Sequence, residues 1–317
     1  MNPDFSTEDM LDIAEEAEDL CFDSAWVGDN LMEKPRHEPI GTLNAIAQRT
    51  ETVELGTACM ITTLRHPMQF AQAWTTLDVL SEWRTLLGAC QGTPTEKSKH
   101  QHEMVGVPGD GRYKALEEGI EIMKQLWAEG SIDEYDGAIY DLEHVTFDTG
   151  NETIPFRPVR GGETPVLVTA NPTHHGNQAV HKRIVSRIVD IGDGWQTANR
   201  WDQPEEYSDQ INAIYDYADE QGVDRDELHT AYQITFNINE DREQAEAEMH
   251  RYIDNYYPRH DDPNFDSWGS VGSPQDVINQ IEEYHERGCE HFVIRFGADD
   301  HYEQLRRFSE EVLPSFR

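Results

Sequence analysis

Residues 65–92 read RHPMQFAQAWTTLDVLSEWRTLLGACQG, and this stretch decides the fold class. Pro67 suits a first helical turn, where a missing N–H leaves nothing unsatisfied. The spacing predicts a helix from Pro67 to Leu80 and a strand of small and apolar residues from Arg84 to Cys90. Working outward, the same helix-then-strand unit recurs. Toward the N-terminus, Ser6-Thr7-Glu8-Asp9 caps a helix running to about Leu20, followed by a strand from Phe22 to Val27. A helix from Leu43 to Thr50 precedes a strand from Val53 to Ile61. Toward the C-terminus, a long amphipathic helix spans Tyr113 to Glu129. Strands are expected at Pro165 to Thr169, Asp193 to Ala198, His229 to Ile238 and His291 to Phe296. Helices are expected at 176–190, Pro204 to Gln221, Arg242 to Tyr256, Pro274 to Arg287 and His301 to Val312. Residues 130–164, with a hairpin around Asp136-Gly137, and 254–270 are excursions from this pattern.

Alternation on this scale indicates a parallel sheet with helices outside it. For a single domain of 317 residues the natural closure is an eight-stranded (β/α) barrel. A doubly wound sheet would usually carry a G-x-G-x-x-G turn after its first strand, and the chain has none. Seven strands are counted rather than eight, because the first helix begins almost at Met1. The expectation is that the first strand is missing from this chain and is encoded upstream.

Charge narrows the partners. The chain carries 25 Lys and Arg against 62 Asp and Glu, a net charge of −37. Phosphate recognition runs on Lys and Arg, so nucleic acid is excluded as a partner, and an anionic membrane face with it. Among the basic residues Lys occurs only at 34, 97, 99, 114, 124 and 182. So large an acidic excess suits a salt-saturated cytoplasm, where ions screen self-repulsion. No apolar run reaches the roughly 20 residues of a spanning helix, and no basic-then-apolar leader opens the chain. Cys21, Cys59, Cys90 and Cys289 form no C-x-x-C pair, which removes a zinc knuckle and fits a reducing cytoplasm. His100-Gln101-His102 and His174-His175 are read as solvated loop segments, and no metal site is expected.

In a barrel of this kind chemistry sits at the C-terminal strand ends. Those ends present Asp29-Asn30, Cys59-Met60, Cys90-Gln91-Gly92, Thr169-Ala170-Asn171, Gln196-Thr197 and Arg295-Phe296. In this order, the segments AEEAEDLCFDSAWVGDN (14–30), AIAQRTETVELGTACM (45–60), the opening stretch at 65–92, PVLVTA (165–170), GDGWQTA (192–198) and VGSPQDVINQIEEYHERGCEHFVIRF (271–296) resemble the luciferase-like family of flavin- and deazaflavin-dependent oxidoreductases. The resemblance implies a TIM barrel that binds FMN or the deazaflavin F420 at its strand ends. It also implies reduction or oxygenation of a small organic substrate, a homodimer, and a flavin or F420 reductase as a partner.

Residue by residue, the resemblance places Thr57, Ala58 and Cys59 under the ring, with a non-proline cis peptide at Ala58–Cys59. Cys90 and Gln91 lie in the next strand-end loop, where Gln91 replaces an Arg that would help hold a phosphate. Asn171 and Thr173 suit the phosphate, as do Gly272 and Ser273 at a helix start. Trp195 is an aromatic candidate for cofactor contact, whereas Trp26, Trp74, Trp83 and Trp127 read as core. Many members carry His after the acidic residue at the second strand end; here Asp29 is followed by Asn30, which cannot act as a general base. Asp29, His37 and His66 are the alternative proton carriers by position, with helix capping as the other role of His66. Glu82-Trp83-Arg84 replaces the family's Gly-Gly-Arg and alters a turn away from the chemistry. The reading adopted is a flavin-dependent monooxygenase using reduced FMN and oxygen. The alternatives are F420-dependent hydride transfer and a catalytically silent flavin-binding protein.

Overall fold

The computed structural model describes residues 6–31, 36–147, 150–151, 154–155, 164–172, 181–197, 204–256 and 269–317. The chain divides into two compact units, one of residues 24–169 with 190–194 and one of residues 1–23, 170–189 and 195–317. Helix α1 (Thr7–Asp19) belongs to the latter, and among the described residues no strand precedes it. Its start follows from a capping box: the Ser6 hydroxyl accepts the Asp9 N–H at 3.1 Å while the Asp9 carboxylate accepts the Ser6 N–H at 2.9 Å.

The unit of residues 24–169 holds β1 (Ser24–Val27), α2 (Pro39–Ala47), β2 (Glu54–Thr57), β3 (Met60–Ile61), α3 (Pro67–Leu80), β4 (Thr85–Cys90), α4 (Glu96–Met104) and α5 (Arg112–Glu129). The hairpin β5 (Ser131–Asp136) and β6 (Asp141–Thr146), the small pair β7 (Gly150–Asn151) and β8 (Ile154–Pro155), and β9 (Val166–Thr169) complete it. β1, β2, β4 and β9 are parallel neighbours in that order. Every residue of β4 is buried, as expected of a parallel strand covered on both faces. Leu43, Phe70, Trp74, Leu116, Ile120 and Trp127, from α2, α3 and α5, are buried with no more than 2% exposure. Trp127 closes this layer by donating its indole N–H to the Ala71 carbonyl at 3.2 Å.

In the other unit follow α6 (Lys182–Asp190), β10 (Gly194–Thr197), α7 (Pro204–Gln221), β11 (His229–Ile238), α8 (Arg242–Tyr256), β12 (Ser270–Gly272), α9 (Pro274–Glu286), β13 (His291–Phe296) and α10 (His301–Arg307). β11 pairs in parallel with β13 through six residues and with β12 through its last three. Its core is aromatic: Tyr207 lies 5.1 Å from Tyr232 and 5.4 Å from Tyr284, and Tyr232 stacks on Tyr284 at 4.9 Å.

All seven expected strands are present, and the differences are local. The strand expected from Val53 to Ile61 is interrupted at Ala58 and Cys59, which leaves β2 and β3. The second helix begins at Pro39, because the Glu38 carboxylate caps it on the Gly41 N–H at 2.8 Å. β12 lies where a polar loop is expected to end; three residues are too few for a periodic signal. The segment His100-Gln101-His102 is helical, not a loop, and Gln101 and His102 are buried. Its sequence, EKSKHQHEM, lacks an apolar stripe, and the helix is held by hydrogen bonds instead: Ser98 N–H to Thr95, and the His102 ring to Ser98 and Thr63. Trp83 is not core: it is 36% exposed, and both it and Glu82 adopt left-handed backbone (φ 66° and 55°) where the family has glycines.

Candidate active site

Three strand ends of the 24–169 unit converge on the Ala58–Cys59 peptide, which is cis. β1 and β2 stay paired through it: Ala58 N–H donates to Val27 O at 2.8 Å and Asp29 N–H to Cys59 O at 3.1 Å. On the β4 side the Thr57 hydroxyl, fully buried, donates to Gly88 O at 3.1 Å and accepts Gly88 N–H at 3.0 Å. Thr57 therefore joins the two strands, and Ala58 leaves the surface above them low. Cys59 and Cys90 follow with their sulfurs 2.8 Å apart, both as free thiols. The hydrogen bond between them lowers the Cys59 thiol from its ordinary range and, together with burial, pushes the Cys90 thiol well up.

Asp29 is fixed in place. Its carboxylate accepts Arg65 Nη1 at 2.6 Å, Arg65 Nη2 at 3.3 Å and the Ile61 N–H at 3.0 Å, and its side chain is 5% exposed. Arg65 also reaches Glu38 at 3.1 Å. Burial works to lower the Arg65 pKa, but Asp29 and Glu38 outweigh it and raise it. Asp29 is thus a carboxylate held by a planar fork, and its contacts are those of a group that positions the β3 turn.

His66 caps α3, its Nδ1 accepting the Met68 N–H at 3.4 Å. Burial lowers its pKa, which favours the neutral ring. The ring also meets Tyr140 edge-on, with centroids 5.6 Å apart. Both side chains line a cavity of about 760 Å³ together with Glu38, Arg65, Phe70 and Ile139. That volume lies in the range of small-molecule sites. The wall carrying Ile139 and Tyr140 is the turn of the β5–β6 hairpin. It is held by Glu118, a buried carboxylate that accepts the N–H groups of Ala138, Ile139 and Tyr140 at 2.7–3.0 Å.

Gln91 stands one residue past β4, and its Oε1 is buried with no hydrogen-bond donor reaching it among the described residues. Gly92 follows with φ 74°, and a Cβ there would press on Ser98 Oγ at 2.9 Å, so only glycine fits the turn. Asn30 lies beside Asp29 and is half-buried.

The remaining sequence candidates lie in the other compact unit. Asn171 accepts the Thr197 hydroxyl at 2.9 Å, and Trp195, 1% exposed, donates its indole N–H to Ala170 O at 2.7 Å and stacks on Tyr207 at 5.3 Å. Ser273 caps α9: its N–H and hydroxyl both donate to Asp276 Oδ2, at 2.8 and 2.7 Å. The start of that helix is therefore satisfied and already negative, which is poor ground for a phosphate. A Cβ on Gly272 would collide with the same Asp276 side chain at 2.7 Å. Thr173 and His174-His175 fall outside the described residues.

Sequence reasoning missed Arg65, Glu38, Glu118 and Tyr140. Arg65 had a signal, because a cation beside His-Pro at a helix start stands out in a chain with so few. Among the described residues no cluster of three or more His, Cys, Asp or Glu is placed to hold a metal, and no helix is long and apolar enough to cross a membrane.

Comparison with known proteins gives this geometry a context. The chain is 25% identical, over 99% of its length and 96% of the relative's, to an F420-dependent glucose-6-phosphate dehydrogenase of Amycolatopsis mediterranei. Its fold matches that of the coenzyme F420-dependent tetrahydromethanopterin reductase from Methanopyrus kandleri, with TM-score 0.78 and 19% identity over 100% of this chain and 98% of that one. It also matches the oxygenating constituent of 3,6-diketocamphane monooxygenase from Pseudomonas putida, solved with FMN, with TM-score 0.73 and 18% identity over 99% and 95% of the two chains. These likenesses confirm the α/β fold class of the luciferase-like TIM barrels. The luciferase-like monooxygenase family model matches residues 2–291, and the chain belongs to that family.

Proposed function

We propose that this protein is an F420-dependent oxidoreductase that exchanges a hydride with a small organic alcohol or carbonyl compound. The observation that carries this reading is that relatives matching 99% of the chain are named as F420-dependent dehydrogenases. The strand ends fit such a cofactor. The buried, donor-less oxygen of Gln91 suits a ring that brings N–H groups. The low surface at Thr57, Ala58 and Cys59 lets backbone approach a flat ring, and Cys90 lies beside it. When bound, F420 supplies the hydride chemistry, while the protein supplies orientation and dry surroundings. Asp29 and Arg65 hold the β3 turn. Asn30 offers an amide to a substrate or ring oxygen, and His66, at the cavity wall, is the candidate proton carrier. The resemblance also assigns Asn171, Trp195, Gly272 and Ser273 to the cofactor, but these lie in the other compact unit, where Asp276 already engages Ser273, and Thr173 lies outside the described residues.

The sequence reading put an FMN monooxygenase first. That reading keeps one argument, the Cys90-Gln91-Gly92 loop, which resembles the luciferase branch except where Gln91 stands for Arg. Loss of that Arg favours F420 over FMN. We further propose a salt-rich cytoplasm, a homodimer, and a flavin or F420 reductase as partner. The test is a titration of protein in molar salt with F420 and FMN separately, followed by anaerobic turnover of an alcohol panel. F420 reduction without oxygen supports the proposal. Oxygen consumption with reduced FMN and none with F420 restores the monooxygenase, and turnover with neither leaves a silent binding protein.

A further inference from the structure

We propose that Cys59 and Cys90 are a peroxide-sensing pair that a hydroperoxide closes to a disulfide and a small-molecule thiol reopens. The two sulfurs sit 2.8 Å apart, Cys59 just before β3 and Cys90 at the end of β4, already near the ~2.05 Å of the bond. The backbone around them is held from three sides: β3 pairs Met60 with Ala89 and Ile61 with Cys90, Asp29 N–H holds the Cys59 carbonyl, and Thr57 ties β2 to Gly88. The two thiols differ in access, which gives each a role. Cys59 is partly exposed, whereas Cys90 is buried at 6%.

Cys59 is the attacking sulfur. It is the more accessible of the two sulfurs, and its hydrogen bond with Cys90 lowers its pKa. The Cys59 thiolate takes the terminal oxygen of a hydroperoxide, ROOH, whose O–O bond breaks to leave the alcohol or water and a sulfenic acid. The Cys90 sulfur then attacks that sulfenic sulfur, the S–O bond breaks, and a second water leaves with the Cys90 proton. The net change for hydrogen peroxide is two thiols and one peroxide to one disulfide and two waters. The other cysteines lack a partner for this step: Cys21 is exposed on the far side of β1 in sequence, and Cys289, buried, has its thiol pushed up to about 12, chiefly by desolvation.

The test uses the full-length protein in molar salt, with and without bound cofactor. It is exposed to hydrogen peroxide, quenched with an alkylating agent under denaturing conditions, and mapped after trypsin. Thr50 to Arg65 carries only Cys59 and Thr85 to Lys97 only Cys90, so their union is unambiguous. The expected result is an intact mass lowered by about 2 Da, the two hydrogens lost, with these two peptides joined and released by dithiothreitol. Cys90→Ser should instead leave a sulfenic acid on Cys59 that dimedone traps. Recovery of both thiols alkylated overturns the proposal, as does over-oxidation of Cys59 to sulfinic acid with Cys90 still free, or a cross-link through Cys21 or Cys289. The wild-type peptide map decides the matter even where the variant fails to fold.

Discussion

The end of β4 and the start of α9 are both expected, by resemblance, to hold a cofactor, yet their polar groups are in opposite states. Past β4, Gln91 keeps a buried oxygen that no described donor reaches. At α9, Ser273 has both its N–H and its hydroxyl engaged by Asp276, three residues on. The same box caps α1 with Ser6 and Asp9. The difference teaches that a donor-rich residue at a strand–helix junction is a ligand group only where its own neighbours have not already satisfied it. Unmet hydrogen bonding marks the first region as built for something else to complete, and met hydrogen bonding marks the second as a helix start.

The largest effect is expected at the pair that holds the first region together. Arg65→Met leaves the Asp29 carboxylate buried without its cation and should cost about 3 kcal/mol of stability, read by denaturant unfolding in molar salt. Arg65→Lys should cost less, because the charge survives and only the fork is lost. A cost below about 0.5 kcal/mol for Arg65→Met would mean that Asp29 is not held as described.

A crossed pair of variants sharpens the comparison next. Gln91→Leu should weaken cofactor binding about tenfold, the worth of one hydrogen bond at about 1.4 kcal/mol, with unchanged or slightly raised stability. Ser273→Ala should do the reverse, costing about 1 kcal/mol of stability as a lost N-cap with affinity unchanged. Exchange of these two outcomes would break the distinction between the regions.

At the opposite end of β4, Glu82→Gly should stabilise by about 0.5 kcal/mol. It relieves a left-handed residue, offset in part by the entropy of the unfolded glycine. A loss of stability there would show that the Glu82 side chain does more than endure its turn. The smallest effect is the pH dependence. His66 and His102 have folded pKa values below the ordinary 6.5, mainly through burial, so the unfolded chain binds protons first. Stability should be full above pH 6.5 and decline below it, and His102→Asn should flatten that decline. An unchanged slope in the variant would assign the decline to the carboxylates.

Much of the fold was legible because β4, β11, α5, α7 and α8 carry clear periodicity or uniform burial. What was not legible has a physical cause in each case. α4 is polar on every face and is held by hydrogen bonds to Thr95, Ser98 and Thr63, which no hydrophobic pattern reports. β12 is three residues long. In the site, the cis peptide at Ala58–Cys59 was named from the resemblance and is present. The capping box at Ser273 was also readable, since Ser-Pro-Gln-Asp repeats the Ser6 to Asp9 spacing. Arg65 with Asp29, and Glu118 with the hairpin turn at 138–140, bridge 36 and 20 or more residues of chain, and no local signal spans that distance.

The central claim is that the strand ends around Ala58, Cys59 and Gln91 take up a deazaflavin. It is tested most directly by equilibrium titration of the wild-type protein and Gln91→Leu with F420 and with FMN, in molar salt. The wild type should bind F420 at least about tenfold more tightly than FMN, and Gln91→Leu should lose about tenfold toward F420. Tighter binding of FMN, or F420 affinity indifferent to Gln91, would contradict it.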